Sequence, residues 1–235
     1  FYQPLVRLDT GATTAFELLA RWPRDGEEIG PDQFISIAEE AGLITDLMLQ
    51  LLRRGCSEAV DWDGAPAIGI NVSPIQLKDM WLSEKILATL ARAGFPPHRL
   101  AVEITENALI GDPDNAIRTI QSLKNQGIGI VLDDFGTGYS SLQHLRMLPF
   151  DEIKIDRSFV QSIDSDPEAL KMVRAIVGLA STLGMPVVAE GIESESAAKL
   201  LRDLGCAYGQ GYHFGHPMSG EQVAALTQAE AALRA

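Results

Sequence analysis

One unit recurs along this chain and limits what it can become: a capping residue, an amphipathic stretch, a glycine, then a short β-branched run ending in a polar side chain. Asp112-Pro113 opens such a helix with Ile117, Ile120 and Leu123 on one face, Gly127 stops it, and Ile128-Gly129-Ile130-Val131-Leu132 runs into Asp133-Asp134. Asp166-Pro167 opens another through Met172, Ile176 and Leu179, Gly184 ends it, and Pro186-Val187-Val188-Ala189 leads to Glu190. Ser83 to Gly94 precedes Leu100-Ala101-Val102-Glu103, and Ser194 to Gly205 precedes a run ending at Gln210. Pro31 to Trp62, read as two helices broken near Gly42, precedes Ala67-Ile68-Gly69-Ile70-Asn71, and a shorter helix around Ser141 to Leu148 precedes Glu152-Ile153-Lys154-Ile155. Helix then strand, repeated, predicts a largely parallel sheet with helices outside it.

Only the front differs. Tyr2 to Leu8 and Thr14 to Arg21 are strand-like and are joined by Asp9-Thr10-Gly11, a turn short enough to force an antiparallel hairpin. Eight strands with outer helices in 235 residues predict an α/β fold, a TIM-like (β/α)8 barrel with an N-terminal antiparallel hairpin and its active groups at the C-terminal strand ends. An open doubly wound sheet is the rival, because periodicity does not count closure. No linker or low-complexity tract divides the chain, so a single domain over residues 1–235 is expected, cut from a longer multidomain protein since no initiator Met is present. The Ala-rich stretch from Val223 to Ala235 reads as a last helix that frays.

The formal charge of −13 argues against polymeric nucleic acid or an anionic lipid surface as a partner. No apolar run reaches the roughly 18 residues of a spanning helix, so a cytoplasmic domain without membrane contact is expected, whatever anchors the full-length protein. The two cysteines, Cys56 and Cys206, form no C-x-x-C pair and read as thiols, with Cys206 a small buried apolar residue.

Asn71, Glu103, Asp133, Asp134, Lys154, Glu190 and Gln210 each end or follow an apolar strand. On separate loops they would be solvated strand ends. Around one barrel mouth they concentrate four carboxylates with little to neutralise them, and such a cluster needs cations. Carboxylate and amide oxygens suit Mg²⁺ or Mn²⁺ rather than zinc, and adjacent Asp133-Asp134 would let one carboxylate bridge two ions. Gly136-Thr137-Gly138 gives the following loop freedom to move or simply to turn, but it lacks the G-x-G-x-x-G pattern, and no phosphate-loop motif occurs. His213 and His216 have no third soft ligand nearby, so loop or structural roles are expected.

These residues, taken with others in order, closely resemble those of the EAL-domain cyclic di-GMP phosphodiesterases. The match comprises Tyr2-Gln3-Pro4, Glu17-Leu18-Leu19-Ala20-Arg21-Trp22, Phe34 with Ala38-Glu39-Glu40-Ala41-Gly42-Leu43-Ile44, and Asn71-Val72-Ser73-Pro74. It continues through Glu103-Ile104-Thr105-Glu106, Asp133 to Leu142, Lys154-Ile155-Asp156-Arg157-Ser158-Phe159-Val160, Ala189-Glu190-Gly191-Ile192-Glu193 and Gln210-Gly211-Tyr212. The signature Glu-Ala-Leu stands here as Glu17-Leu18-Leu19. Strand alternation points Leu18 away from Glu17, so packing around the barrel, rather than the metal-binding Glu, is expected to bear the change.

The resemblance implies hydrolysis of cyclic di-GMP to linear 5′-pGpG, with two Mg²⁺ or Mn²⁺ ions held by Glu17, Asn71, Glu103, Asp133 and Asp134. It makes Glu190 the general base and Lys154 a cation for the attacking water or the phosphate. Glu106 would anchor the glycine loop, while Gln3, Leu19, Arg21, Asp156 and Gln210 would line the dinucleotide site, with Arg21 on a phosphate oxygen. Ca²⁺, larger and differently coordinated, is expected to inhibit. The resemblance also implies a homodimer, with the sequence from Asp156 to Gly184 as a candidate face, and fused sensory or cyclase domains. The alternative reading is a catalytically silent cyclic di-GMP receptor, and a further rival is a metal-dependent barrel enzyme acting on another phosphate or an enolate.

Overall fold

The short turn does what its length requires. In a computed structural model describing residues 1–24, 27–109, 113–137, 145 and 148–234, β1 (Tyr2–Arg7) and β2 (Thr13–Leu18) pair antiparallel across Gly11, whose φ of +70° suits glycine. From β2 the sheet continues in parallel through β5 (Ala67–Asn71), β6 (Leu100–Thr105), β7 (Gly129–Phe135), β8 (Glu152–Ile155), β9 (Val187–Ala189) and β10 (Tyr208–Gln210). β10 then pairs antiparallel with β1, which closes an eight-stranded barrel and removes the open sheet as an alternative. β2 ends at Leu18, short of the expected Arg21, because the chain leaves the barrel for a small hairpin of β3 (Trp22–Arg24) and β4 (Glu27–Ile29) that the sequence pattern did not suggest.

Helices α1 (Pro31–Glu40) and α2 (Ile44–Ala59) break at Gly42, at φ +69°. α3 (Leu82–Ala93) stops at left-handed Gly94, and α4 (Pro113–Asn125) lies between β6 and β7. After β8 come a short α5 (Arg157–Gln161) and then α6 (Pro167–Leu183), capped by Asp166 and ended by Gly184. α7 (Glu195–Leu204), capped by Ser194, and α8 (Gly220–Arg234) complete the shell. The expected cap Asp112, Gly138 and most of the helix around Ser141 to Leu148 lie outside the described residues. α6 corrects one expectation. Its inward stripe is Ala169, Val173, Ile176, Val177 and Ala180, and Met172 is 43% exposed, because the four-residue step from Ala169 selects Val173 and leaves Met172 off the buried face.

Cys56 and Cys206 are buried and unpaired, and burial pushes both thiols up to about 12, consistent with apolar packing roles. No helix among the described residues is long and apolar enough to cross a membrane.

Leu18 explains a glycine. It leaves β2 on the face opposite Glu17 and meets α2 at Gly55, where an added Cβ would lie 2.7 Å from Leu18 Cδ2. Glycine inside a helix costs about 1 kcal/mol against alanine, so Gly55 records the space that the larger side chain takes. Gly55→Ala is therefore expected to destabilise the protein by about 1 kcal/mol, since overpacking outweighs the helix gain, and to stabilise it in a Leu18→Ala background. Denaturant unfolding of the four proteins of this cycle decides the point, and the same sign in both backgrounds would contradict it.

Candidate active site

Barrel register collects the polar strand ends. Gln3 lies opposite Glu17, Glu17 opposite Gly69, Asn71 opposite Glu103, and Thr105 opposite Asp133, so each strand delivers its side chain one step around the same mouth. Because β1 runs backwards, its beginning rather than its end reaches this mouth, which is how Gln3 joins the set.

Lys154 stands beneath them. Its side chain, 3% exposed, places Nζ 2.5 Å from Glu103 Oε2 and 2.6 Å from Glu190 Oε1, with Glu17 Oε2 at 3.5 Å and Asp133 Oδ1 at 3.6 Å. Burial alone would lower this amine's pKa, but the carboxylates of Asp133, Glu103, Glu17 and Glu190 overcome it and hold the pKa well above the usual lysine value. Asn71 Nδ2 donates to Glu17 Oε1 at 2.6 Å and Gln210 Nε2 donates to Glu17 Oε2 at 2.7 Å. Burial opposes the charge on Glu17, yet Lys154 and these two amides keep its pKa low.

Consecutive residues of a regular strand face opposite sides, so Asp133 and Asp134 could not both serve one site without a distortion. The distortion is present. Register shifts between Leu132 and Phe135, and Asp134 adopts φ +54° with its amide donating to Asp133 Oδ1 at 2.9 Å. One carboxylate oxygen each from Asp133, Asp134 and Glu190 then lie within 4.8 Å of one another, a spacing fit for a divalent cation. Burial, with help from Asp133, pushes Asp134 up to about 6, and burial and the neighbouring carboxylates push Glu190 up to about 8. These groups resist sharing negative charge, and an oxygen-seeking cation would relieve them.

Of the residues expected to line a ligand site, Gln3, Asp156 and Gln210 do line the mouth, a cavity of about 520 Å³ that also holds Glu17, Asn71, Asp133, Asp134 and Glu190. Leu19 and Arg21 lie next to it. They line an adjoining, mainly apolar groove of about 390 Å³ between β2, α1 and α2, which meets the mouth at Asn71. Glu106 is buried just past the end of β6; of the glycine loop it was expected to anchor, Gly136 and Thr137 are described, while Gly138 and the residues that follow to 144 lie outside the described ones. His213 and His216 are exposed, with His216 stacked on Tyr212 at 4.2 Å, in keeping with loop roles. Asp32, Arg157, Gln161 and Glu193 also line the mouth. The pattern of strand ends missed them because they sit at a helix start, on α5 and in a loop, although Asp156 as a helix cap was a signal for α5.

Gly69 is the space under Glu103. A Cβ there would lie 2.0 Å from Glu103 Oε1, and that carboxylate has little room to retreat while Lys154 holds it. Gly69→Ala is expected to dislodge Glu103 and to weaken divalent-metal binding by at least about tenfold, read by calorimetry, the range seen when groups that orient metal ligands are removed. Unchanged metal affinity would refute this.

The raised carboxyls also set a pH dependence. Glu190 holds its proton to about 8, Asp134 to about 6, and burial pushes Glu152, lower in the barrel, up to about 7, whereas an unfolded chain releases these protons near the usual carboxylate range. Stability from these protons is therefore complete below that range and is lost as pH rises toward 8. In chelator, Tm is expected to fall between pH 5 and pH 8.5. The Tm gain from Mg²⁺ should be larger at pH 8.5 than at pH 6, since metal takes the deprotonated carboxylates. A gain independent of pH, measured by scanning fluorimetry, would count against the cluster as the metal site.

Comparison with known proteins agrees with this geometry. The model of the EAL domain family matches residues 1–217. An uncharacterized signaling protein of Caulobacter vibrioides is 44% identical over 230 residues, 97% of this chain and 28% of that protein. The cyclic di-GMP phosphodiesterase RocR of Pseudomonas aeruginosa is 39% identical over 93% of this chain and 57% of its own length. Among solved structures, the PaMucR phosphodiesterase in complex with c-di-GMP superposes with a TM-score of 0.88 at 37% identity, covering 94% of this chain and 97% of that one. The chain thus spans between about a quarter and somewhat over half of these relatives' length while matching nearly all of the solved domain.

Proposed function

Because the chain belongs to the EAL domain family, we propose that it hydrolyses cyclic di-GMP to linear 5′-pGpG at the barrel mouth, using Mg²⁺ or Mn²⁺. The observation that carries this reading is the single buried ammonium of Lys154 held among Glu17, Glu103, Asp133 and Glu190, beside the re-aimed carboxylate of Asp134. Lys154 together with two divalent cations matches in charge the carboxylates of Glu17, Glu103, Asp133, Asp134 and Glu190, and cations bound there would acidify water and stabilise the negative charge that builds on the phosphate oxygens. Glu17, Asn71, Glu103, Asp133 and Asp134 are the residues we assign to holding them. Asn71 spends its amide nitrogen on Glu17, which leaves its carbonyl oxygen to face a cation.

Glu190 is the general base. Lys154 fixes its Oε1 and, with cations bound beside it, would favour the deprotonated form against the burial that raises its pKa, leaving a carboxylate able to take a proton from water attacking a phosphodiester. Lys154 orients that carboxylate and offsets charge on the phosphate. Gln3, Asp156 and Gln210 offer polar contacts to the dinucleotide within the mouth, and the apolar groove of Leu19 and Arg21 adjoins it. The homodimer and the fused sensory or cyclase domains implied by the resemblance belong to this proposal for the longer protein.

The test is hydrolysis of cyclic di-GMP by the purified chain with Mg²⁺, Mn²⁺, Ca²⁺ or chelator, products being identified by chromatography. Release of 5′-pGpG is expected with Mg²⁺ and Mn²⁺ and not with Ca²⁺ or chelator. Glu190→Gln and Glu17→Ala should each lower kcat by about 10²-fold or more. Tight binding without turnover in every metal would make the domain a receptor.

A further inference from the structure

The mouth carries more acid than its floor accounts for. Asp32, Asp156 and Glu193 add carboxylates to the lining above the proposed metal ligands, and the only cationic side chain lining the mouth among the described residues is Arg157. Its backbone is fixed. Asp156 accepts from Ser158 N at 3.0 Å and so caps α5, whose first residue is Arg157. Beneath it lies Gly191, at φ +70°, where an added Cβ would stand 2.6 Å from Arg157 Cβ and 3.3 Å from Arg157 Cα. Gln161, one turn along α5, donates to Glu193 Oε1 at 2.9 Å, which ties the helix to the loop that carries Glu190. Arg157 is exposed, and its charge, with the hydrogen bonds from Ser158, helps hold the neighbouring Asp156 carboxyl below the usual carboxylate range.

We infer that Arg157 is a ligand-binding residue whose guanidinium contacts the phosphate of cyclic di-GMP that is not cleaved. The inference rests on the proposed function and deepens it. The scissile phosphate belongs on the floor with Asp133, Asp134 and Glu190, where cations offset its charge. The second phosphate of the same ligand meets a rim of carboxylates, and there Arg157 supplies the opposite charge and a fork of donors matched to phosphate oxygens. Arg21, for which the resemblance implies a phosphate oxygen, lines the adjoining groove that meets the mouth at Asn71, so Arg157 would be a second arginine on the ligand, reaching it within the mouth itself.

The experiment compares the full chain with Arg157→Gln and Arg157→Lys, both of which keep the packing of the side-chain base on Gly191. Loss of a charge-assisted contact should raise KM for cyclic di-GMP about tenfold with kcat within about twofold, and lysine should recover part of the loss. The Mg²⁺ concentration giving half-maximal rate should stay the same, a readout that a role in positioning Asp156 and Asp134 would move. An unchanged KM overturns the inference, as does a fall in kcat joined to a higher Mg²⁺ requirement. If the unsubstituted chain releases no 5′-pGpG, it is the functional reading that fails. Arg157 is then judged by calorimetric Kd for cyclic di-GMP, expected to be about tenfold weaker in Arg157→Gln and refuted if unchanged.

Discussion

One buried lysine makes the rest of the site possible. Four carboxylates reach Lys154 Nζ within 3.6 Å, from β2, β6, β7 and the residue after β9, so a single ammonium links strands that are distant in sequence and spread around the barrel. Without it, like charges would face each other in a site shielded from water, and removal of one partner from a buried ion pair typically costs about 3–5 kcal/mol because the other stays uncompensated. The cluster therefore couples closure of the barrel to the chemistry of its mouth.

Space in and around the barrel comes from small residues placed under large ones. Gly69 gives room to the Glu103 carboxylate, Gly55 to the leucine that replaces the signature alanine, and Gly191 to the first turn of α5. Each lies on a different element from the residue it accommodates, so the fit is set between strands and helices rather than within them. The bulge on β7 solves a related problem, since only an irregular strand can turn two successive aspartates toward one cation.

Charge is distributed by depth. The floor holds carboxylates that resist ionising together, a lysine that stays protonated and a geometry suited to divalent cations, while the rim mixes further carboxylates with Arg157. An anionic dinucleotide would meet this surface more favourably with cations bound. The apolar groove beside Asn71 offers the opposite character next door, a wall able to take flat, poorly hydrated chemistry at the edge of a polar mouth.

Much of this was legible beforehand. The repeated helix, glycine and strand unit foretold the parallel strands and their polar ends, and the Asp9-Thr10-Gly11 turn foretold the reversed strand, because both depend on local backbone preferences and short-range periodicity. The ordered motifs marked Glu17, Asn71, Glu103, Asp133, Lys154 and Glu190 as one group, and the structure does bring them together. Tertiary structure alone decided the closure of the sheet, the hub at Lys154, the left-handed turn at Asp134, the exposure of Met172 and the placement of Arg157 at the mouth with Arg21 in the adjoining groove. The reason is physical: periodicity reports which face of an element is buried, whereas distances between carboxylates, and which cation reaches them, depend on register and packing between segments far apart in the chain.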